Sequence, residues 1–168
     1  MWFTSKEKAK EHADKLIKKA RQERDKENII EALSLLEKAI RLDKEYATPY
    51  GEYGIVLALY KNNDQAEYNG HFAIVKASKC VTQWRNLAQI YYLLGRFHKA
   101  YVAILVAETL DPQLENVQKL KSLIKAIMSP DQLKDIDQIE QNTKQAFSKY
   151  AKQEIIMPEQ FIEDALSI

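Results

Sequence analysis

The chain has one cysteine, four glycines and four prolines in 168 residues. A lone cysteine, Cys80, excludes an internal disulfide framework and a zinc site built from several thiolates, which suits a reducing compartment. So few glycines and prolines leave little material for the turns of a many-stranded sheet, and an all-α fold is expected. A surplus of one charge is missing as well. The 25 basic and 24 acidic side chains give a formal net charge of +1, so no long-range field draws nucleic acid or an anionic membrane surface. The longest apolar run, Ala100 to Ala107, is too short to span a bilayer. After Met-Trp-Phe the chain turns at once to Ser5-Lys6-Glu7-Lys8, without the apolar stretch of a signal peptide. A cytoplasmic protein without membrane insertion is the expectation.

Catalytic groupings are also missing. The three histidines, His12, His71 and His98, lie far apart, and Glu67 and His71 on one helix face supply only two ligands for a metal. There is no glycine-rich phosphate loop and no Gly-x-Ser-x-Gly nucleophile elbow, and the acids are spread as solvated helix faces. No enzyme activity, cofactor or metal is expected. Lys15, Lys18, Lys19, Arg21 and Arg24 make the first helix locally basic, but Glu11, Asp14, Glu23, Asp25 and Glu27 dilute it, so nucleic acid is not expected as a partner.

What the sequence does contain is a repeat. From Ala13 it divides without insertions into three windows of 34 residues, 13–46, 47–80 and 81–114. Column 20 of the windows holds Ala32, Ala66 and Ala100, column 27 holds Ala39, Ala73 and Ala107, and column 8 holds Ala20, Gly54 and Ala88. Small residues at fixed spacing mark places where two helices approach closely, and larger ones fill the space around them: Leu16, Tyr50 and Trp84 in column 4, Ile29, Asn63 and Phe97 in column 17. Apolar spacing and caps predict helices over 5–26, 28–42, 48–61, 64–78, 82–94 and 97–110, the last ended by Asp111-Pro112.

The third window, with Trp84, Leu87, Ala88, Tyr91, Gly95, Phe97, Ala100, Ala107 and Pro112, resembles the tetratricopeptide repeat signature. The second window keeps Tyr50, Gly54, Ala66 and Ala73 but has Lys61 in place of the turn glycine and Gly70 in place of a large residue. The first has Glu27 at the turn and Lys19 and Glu23 in core columns. The resemblance implies an α-solenoid of three helix pairs wound as a right-handed superhelix.

Such an array needs a capping helix, supplied by 115–128 with Val117, Leu120, Leu123, Ile124 and Ile127 at helical spacing. Residues 1–128 are therefore read as the repeat domain and 129–168 as a helical extension. Ser129-Pro130-Asp131 predicts a helix running to about Gln153, and Met157-Pro158-Glu159 a last short one. The extension folds back along the repeats, mediates self-association, or occupies a groove.

In the family the first helix of each repeat lines a concave surface. Carried over by column, this gives Ile17, Lys18, Arg21 and Arg24 from the first repeat, Glu52, Ile55 and Ala58 from the second, and Arg85, Asn86, Gln89 and Tyr92 from the third. Family members that grip the acidic carboxyl terminus of chaperones use Lys, Asn and Arg at columns that here read Ile17 and Arg21, Glu52, and Thr82 and Asn86. That clamp is absent, and Glu52 is expected to repel a carboxylate. The resemblance implies a non-catalytic scaffold or adaptor that holds a protein or peptide; Ile55, Ala58 and Tyr92 as an apolar centre and Arg21 and Arg85 as charged contacts suit one carrying apolar anchors and some acidic residues. The competing reading is a homo-oligomeric structural subunit; a secretion-type chaperone is a further variant.

Overall fold

The computed structural model describes residues 4–167; the Met-Trp-Phe start weighed above as a leader lies outside them. Three antiparallel helix pairs follow one another: α1 (Ser5–Asp25) with α2 (Ile29–Leu42), α3 (Ala47–Leu59) with α4 (Asn63–Lys76), and α5 (Val81–Leu93) with α6 (Phe97–Leu110). Then come α7 (Glu115–Ile127), α8 (Pro130–Leu133), α9 (Ile136–Tyr150) and α10 (Pro158–Leu166). Helix α1 opens on a capping box in which Thr4 Oγ1 accepts from the Glu7 amide and the Glu7 carboxylate accepts from the Thr4 amide.

The repeat is written into the backbone as well as the core. Each pair turns at a residue of positive φ, Glu27 at 63°, Lys61 at 59° and Gly95 at 71°. In each turn the next amide reaches back to the same helical carbonyl: Asn28 to Glu23 at 2.8 Å, Asn62 to Leu57 at 3.0 Å and Arg96 to Tyr91 at 2.8 Å. Only Gly95 reaches that conformation without a steric penalty. Replacing the exposed Lys61 by glycine is therefore expected to raise stability by about 0.5–1 kcal/mol, a balance of relieved strain against a more flexible unfolded chain. A urea midpoint that falls on substitution would contradict the turn geometry.

The alanines of columns 20 and 27 are all fully buried. At Gly54 the backbones of α3 and α4 nearly touch, since an added Cβ would lie 2.8 Å from the Ala66 carbonyl oxygen and 2.7 Å from Ile90 Cδ1. The anomalous Gly70 is compensated from the next repeat: Leu87 and Ile90 of α5 fill the volume where its own side chain would stand.

After the repeats the structure departs from expectation in two places. Only Val117 and Ile124 of α7 are fully buried, while Leu123 and Ile127 are about half exposed, because α7 packs mainly on α6 with a smaller contact to α5. The single helix expected from Pro130 to about Gln153 is instead α8 and α9, broken at Lys134 and Asp135. A continuous helix would use the Gln132 carbonyl to accept from the Ile136 amide. His98 Nε2 of α6 donates to that carbonyl at 3.0 Å, so the backbone turns, and Ile136 and Ile139 become buried while Leu133 stays outside.

The extension folds back. Helices α9 and α10 pair and pack on α6, with α10 also reaching α4, so they lie along the second helices of the last two repeats. Phe161 of α10 sits 5.4 Å from Trp84 and 5.5 Å from Tyr150, and the Ile156 amide donates to Ser78 Oγ at 2.8 Å. Lys149 and Tyr150 of α9 hold Asp164 at 2.7 and 2.9 Å. One continuous apolar core joins the third repeat, α7, α9 and α10.

Candidate binding groove

Helices α1, α3 and α5, with the start of α7, enclose a cleft of about 500 Å³ on the face away from α10. Of the residues expected to line a groove, Arg21, Arg24, Glu52, Ile55, Arg85 and Gln89 meet there, joined by Thr82, Leu114 and Asn116. Asn116 belongs to α7, yet it falls at column 2 of a fourth window counted from residue 115, so the repeat phase already carried the signal.

The remaining expected residues are elsewhere. Ile17 and Ala58 are 3% and 4% exposed and belong to the core, so neither is an apolar anchor for a ligand. Ile55, at 1%, forms the floor of the cleft with almost no surface to offer. The expected apolar centre is closed for a packing reason: α5 presses Ile90 against Ile55 and Ala58. Lys18 is exposed outside the cleft, and Tyr92 is turned toward Phe97, with ring centroids 6.2 Å apart. Asn86 is fully buried against Gly51, where any Cβ would meet its Nδ2 at 2.8 Å. Its Nδ2 and Gln83 Oε1 have no hydrogen-bond partner.

Glu52 reverses its expected role. Its carboxylate is buried at 2% exposure, with Arg21 Nη2 at 2.7 Å and Arg24 Nη1 at 3.4 Å. A carboxylate held by two guanidinium groups repels an incoming anion far less than a free one. The hydrogen bond to Glu52 in turn raises the Arg21 guanidinium above its ordinary value. Arg85 is left over. Its Nη2 donates to the neutral Asn86 Oδ1 at 2.5 Å, and no carboxylate lies within ion-pair distance among the described residues. Burial pushes its guanidinium below the ordinary value, Glu52 opposes that shift, and the charges of Arg21 and Arg24 add to it. The cleft lining thus holds three guanidinium groups and one carboxylate; Arg24 also pairs with Asp25 at 2.9 Å, so of the three Arg85 alone is without an ion pair among the described residues.

Among the described residues no helix is long and apolar enough to cross a membrane. Neither a family model nor a curated protein matches the sequence. Solved structures do match its shape. An Arabidopsis OM64 TPR domain superposes with a TM-score of 0.57 at 18% identity, over 71% of this chain and 99% of that one. The first TPR of Spaghetti (RPAP3), solved bound to the HSP90 peptide SRMEEVD, superposes with a TM-score of 0.59 at 14% identity, over 70% of this chain and 95% of that one. The chain has the fold of a tetratricopeptide repeat domain, an all-α solenoid.

Proposed function

We propose that this chain is a non-catalytic interaction module whose cleft holds a peptide or helix of another protein through a carboxylate. Arg85 carries the reading. A guanidinium removed from water gains most from a partner that is planar, anionic and able to accept two hydrogen bonds, which describes an acidic side chain or a carboxyl terminus. Gln89, Thr82 and Asn116 surround it with neutral groups able to orient the peptide backbone. That a repeat domain of the same fold was solved with a peptide rich in glutamate and ending in aspartate is consistent with this chemistry. The clamp columns differ here, so the peptide sequence need not be the same. Apolar contact contributes little, since Ile55 and Ala58 are covered, and binding should therefore weaken as salt screens the charges.

Selection of displayed random peptides on the full chain tests this. The recovered sequences are expected to be enriched in Asp or Glu, and to bind an Arg85→Gln variant about thirtyfold more weakly, the lower end of the range for losing one member of a desolvated charge pair. Arg85 bonds only to Asn86, so the substitution should leave the fold intact, which circular dichroism checks. Peptides without acidic residues, or acidic peptides indifferent to Arg85, would remove the cleft from consideration.

A further inference from the structure

A second cavity, of about 360 Å³, lies on the opposite face, between α4 and the segment that starts α10. Its size is near the lower end of the range of ligand pockets. The walls are Tyr68, Phe72 and Val75 of α4 and Met157 of the extension, while Asp64 and Glu159 stand at the rim. Tyr68 and Met157 are 62% and 55% exposed, unusual for side chains of their size. Tyr68 lies nearly parallel to Phe72, with ring centroids 6.0 Å apart and planes at 12°. Lys76 already covers the Phe72 ring from 4.8 Å, so the open aromatic surface is that of Tyr68.

The charge of the cavity is negative. Glu67, deeper in the wall, is matched by Arg96 and Lys99. Asp64 makes no ion pair among the described residues, and Glu159 has only the His71 ring, at 3.8 Å. Burial lowers the His71 pKa against the opposing pull of Glu159, and its Nε2 is already engaged 2.6 Å from the Tyr91 hydroxyl, so the imidazole is a weak counter-charge for that carboxylate. An open aromatic face with aliphatic flanks and two carboxylates without a matched cation accepts one common protein group especially well. A guanidinium stacks flat on an aromatic ring, presents hydrogen bonds to carboxylates in its own plane, and brings an aliphatic stem for the apolar wall.

We propose that this cavity is a second docking site, which takes an arginine side chain of a partner protein over Tyr68 and between Asp64 and Glu159. It is independent of the acid-binding cleft. Because Met157 and Glu159 come from the extension, the fold-back of that segment completes the site.

The probe is acetyl-leucyl-arginine amide, titrated into the full isotopically labelled chain and followed by amide chemical shifts, with acetyl-leucyl-glutamine amide as the neutral control. Saturable shifts are expected at Tyr68, His71 and Phe72 for the arginine compound alone. Tyr68→Ala and the double variant Asp64→Asn with Glu159→Gln should each weaken it about fivefold or more, as expected for a lost stacking partner or two partly exposed ion pairs. All three side chains are at the surface, so the dispersion of the spectrum verifies folding. An equal response to both compounds, shifts that appear at Arg85 and Gln89 instead, or affinities unchanged in both variants would each overturn the proposal. The first and last of these outcomes leave the test of Arg85 untouched, and the second would count against the acid-binding cleft as well.

Discussion

Trp84→Ala is expected to lower the free energy of unfolding by about 3–5 kcal/mol, the range for removing a large aromatic side chain from a packed core. The residue has no exposed surface, and its Nε1 donates to the Ser78 carbonyl at 2.7 Å. The loss extends beyond the third repeat. Ser78 Oγ donates to the Ile74 carbonyl and accepts from the Ile156 amide, and Phe161 of α10 rests against the indole. Removing the ring therefore opens a cavity at the seam between the repeats and the extension, leaving a buried carbonyl without its donor. For a domain of ordinary stability this is a large fraction of the total. Trp84→Phe retains much of the volume and loses the donor, so it should cost less than the alanine change. Urea unfolding followed by circular dichroism measures both, and a loss under about 1 kcal/mol for alanine would mean that the seam is not packed as described.

Glu52→Gln is expected to cost about 2–3 kcal/mol. Breaking a buried ion pair by deleting one partner typically costs more, but Arg21 stays nearly half exposed and recovers part of its hydration. The substitution is isosteric, so the loss is electrostatic: Arg21, Arg24 and Arg85 then face one another without the carboxylate between them. Two consequences have a definite sign. The loss should shrink at high ionic strength, because salt screens the repulsion, and sulfate should stabilise the variant more than the wild-type chain, by binding at the cleft opening to the guanidinium groups that the neutral side chain no longer balances. Thermal unfolding in matched chloride and sulfate series measures both. Equal responses in the two proteins would mean that Glu52 does not neutralise the cleft.

The helical boundaries through Leu110 were all legible to within two residues, and the physical reason is that they are local. A proline at 112 and apolar residues three and four apart on one helix face act over a few residues, which any reading along the chain can see. The failures came where a distant group intervened. The break between α8 and α9 depends on His98, 34 residues away, taking a carbonyl that a continuous helix would need. Leu123 and Ile127 have the spacing of a buried stripe, but only the neighbours of α7 decide how much of that stripe is covered.

The groove divides in the same way. The groove columns that the family resemblance implies, carried over in the 34-residue phase, placed Arg21, Arg24, Glu52, Ile55, Arg85 and Gln89 on one surface, since the same columns of stacked first helices share a face. They could not give the electrostatic state of that surface. Glu52 read as an obstacle to an anion because its charge was counted alone; the arginines that neutralise it lie 31 and 28 residues earlier and meet it only when α1 packs beside α3. Ile55 and Ala58 read as anchors because they are apolar and face inward, yet α5 closes over them. By itself, then, the sequence determined the repeat, its period and the face that the first helices present, because small-residue spacing and caps are properties of neighbouring residues. Only the tertiary structure decided which charges are matched, which apolar groups remain open and where the extension lies, because pairing and burial depend on groups that folding brings together from different repeats.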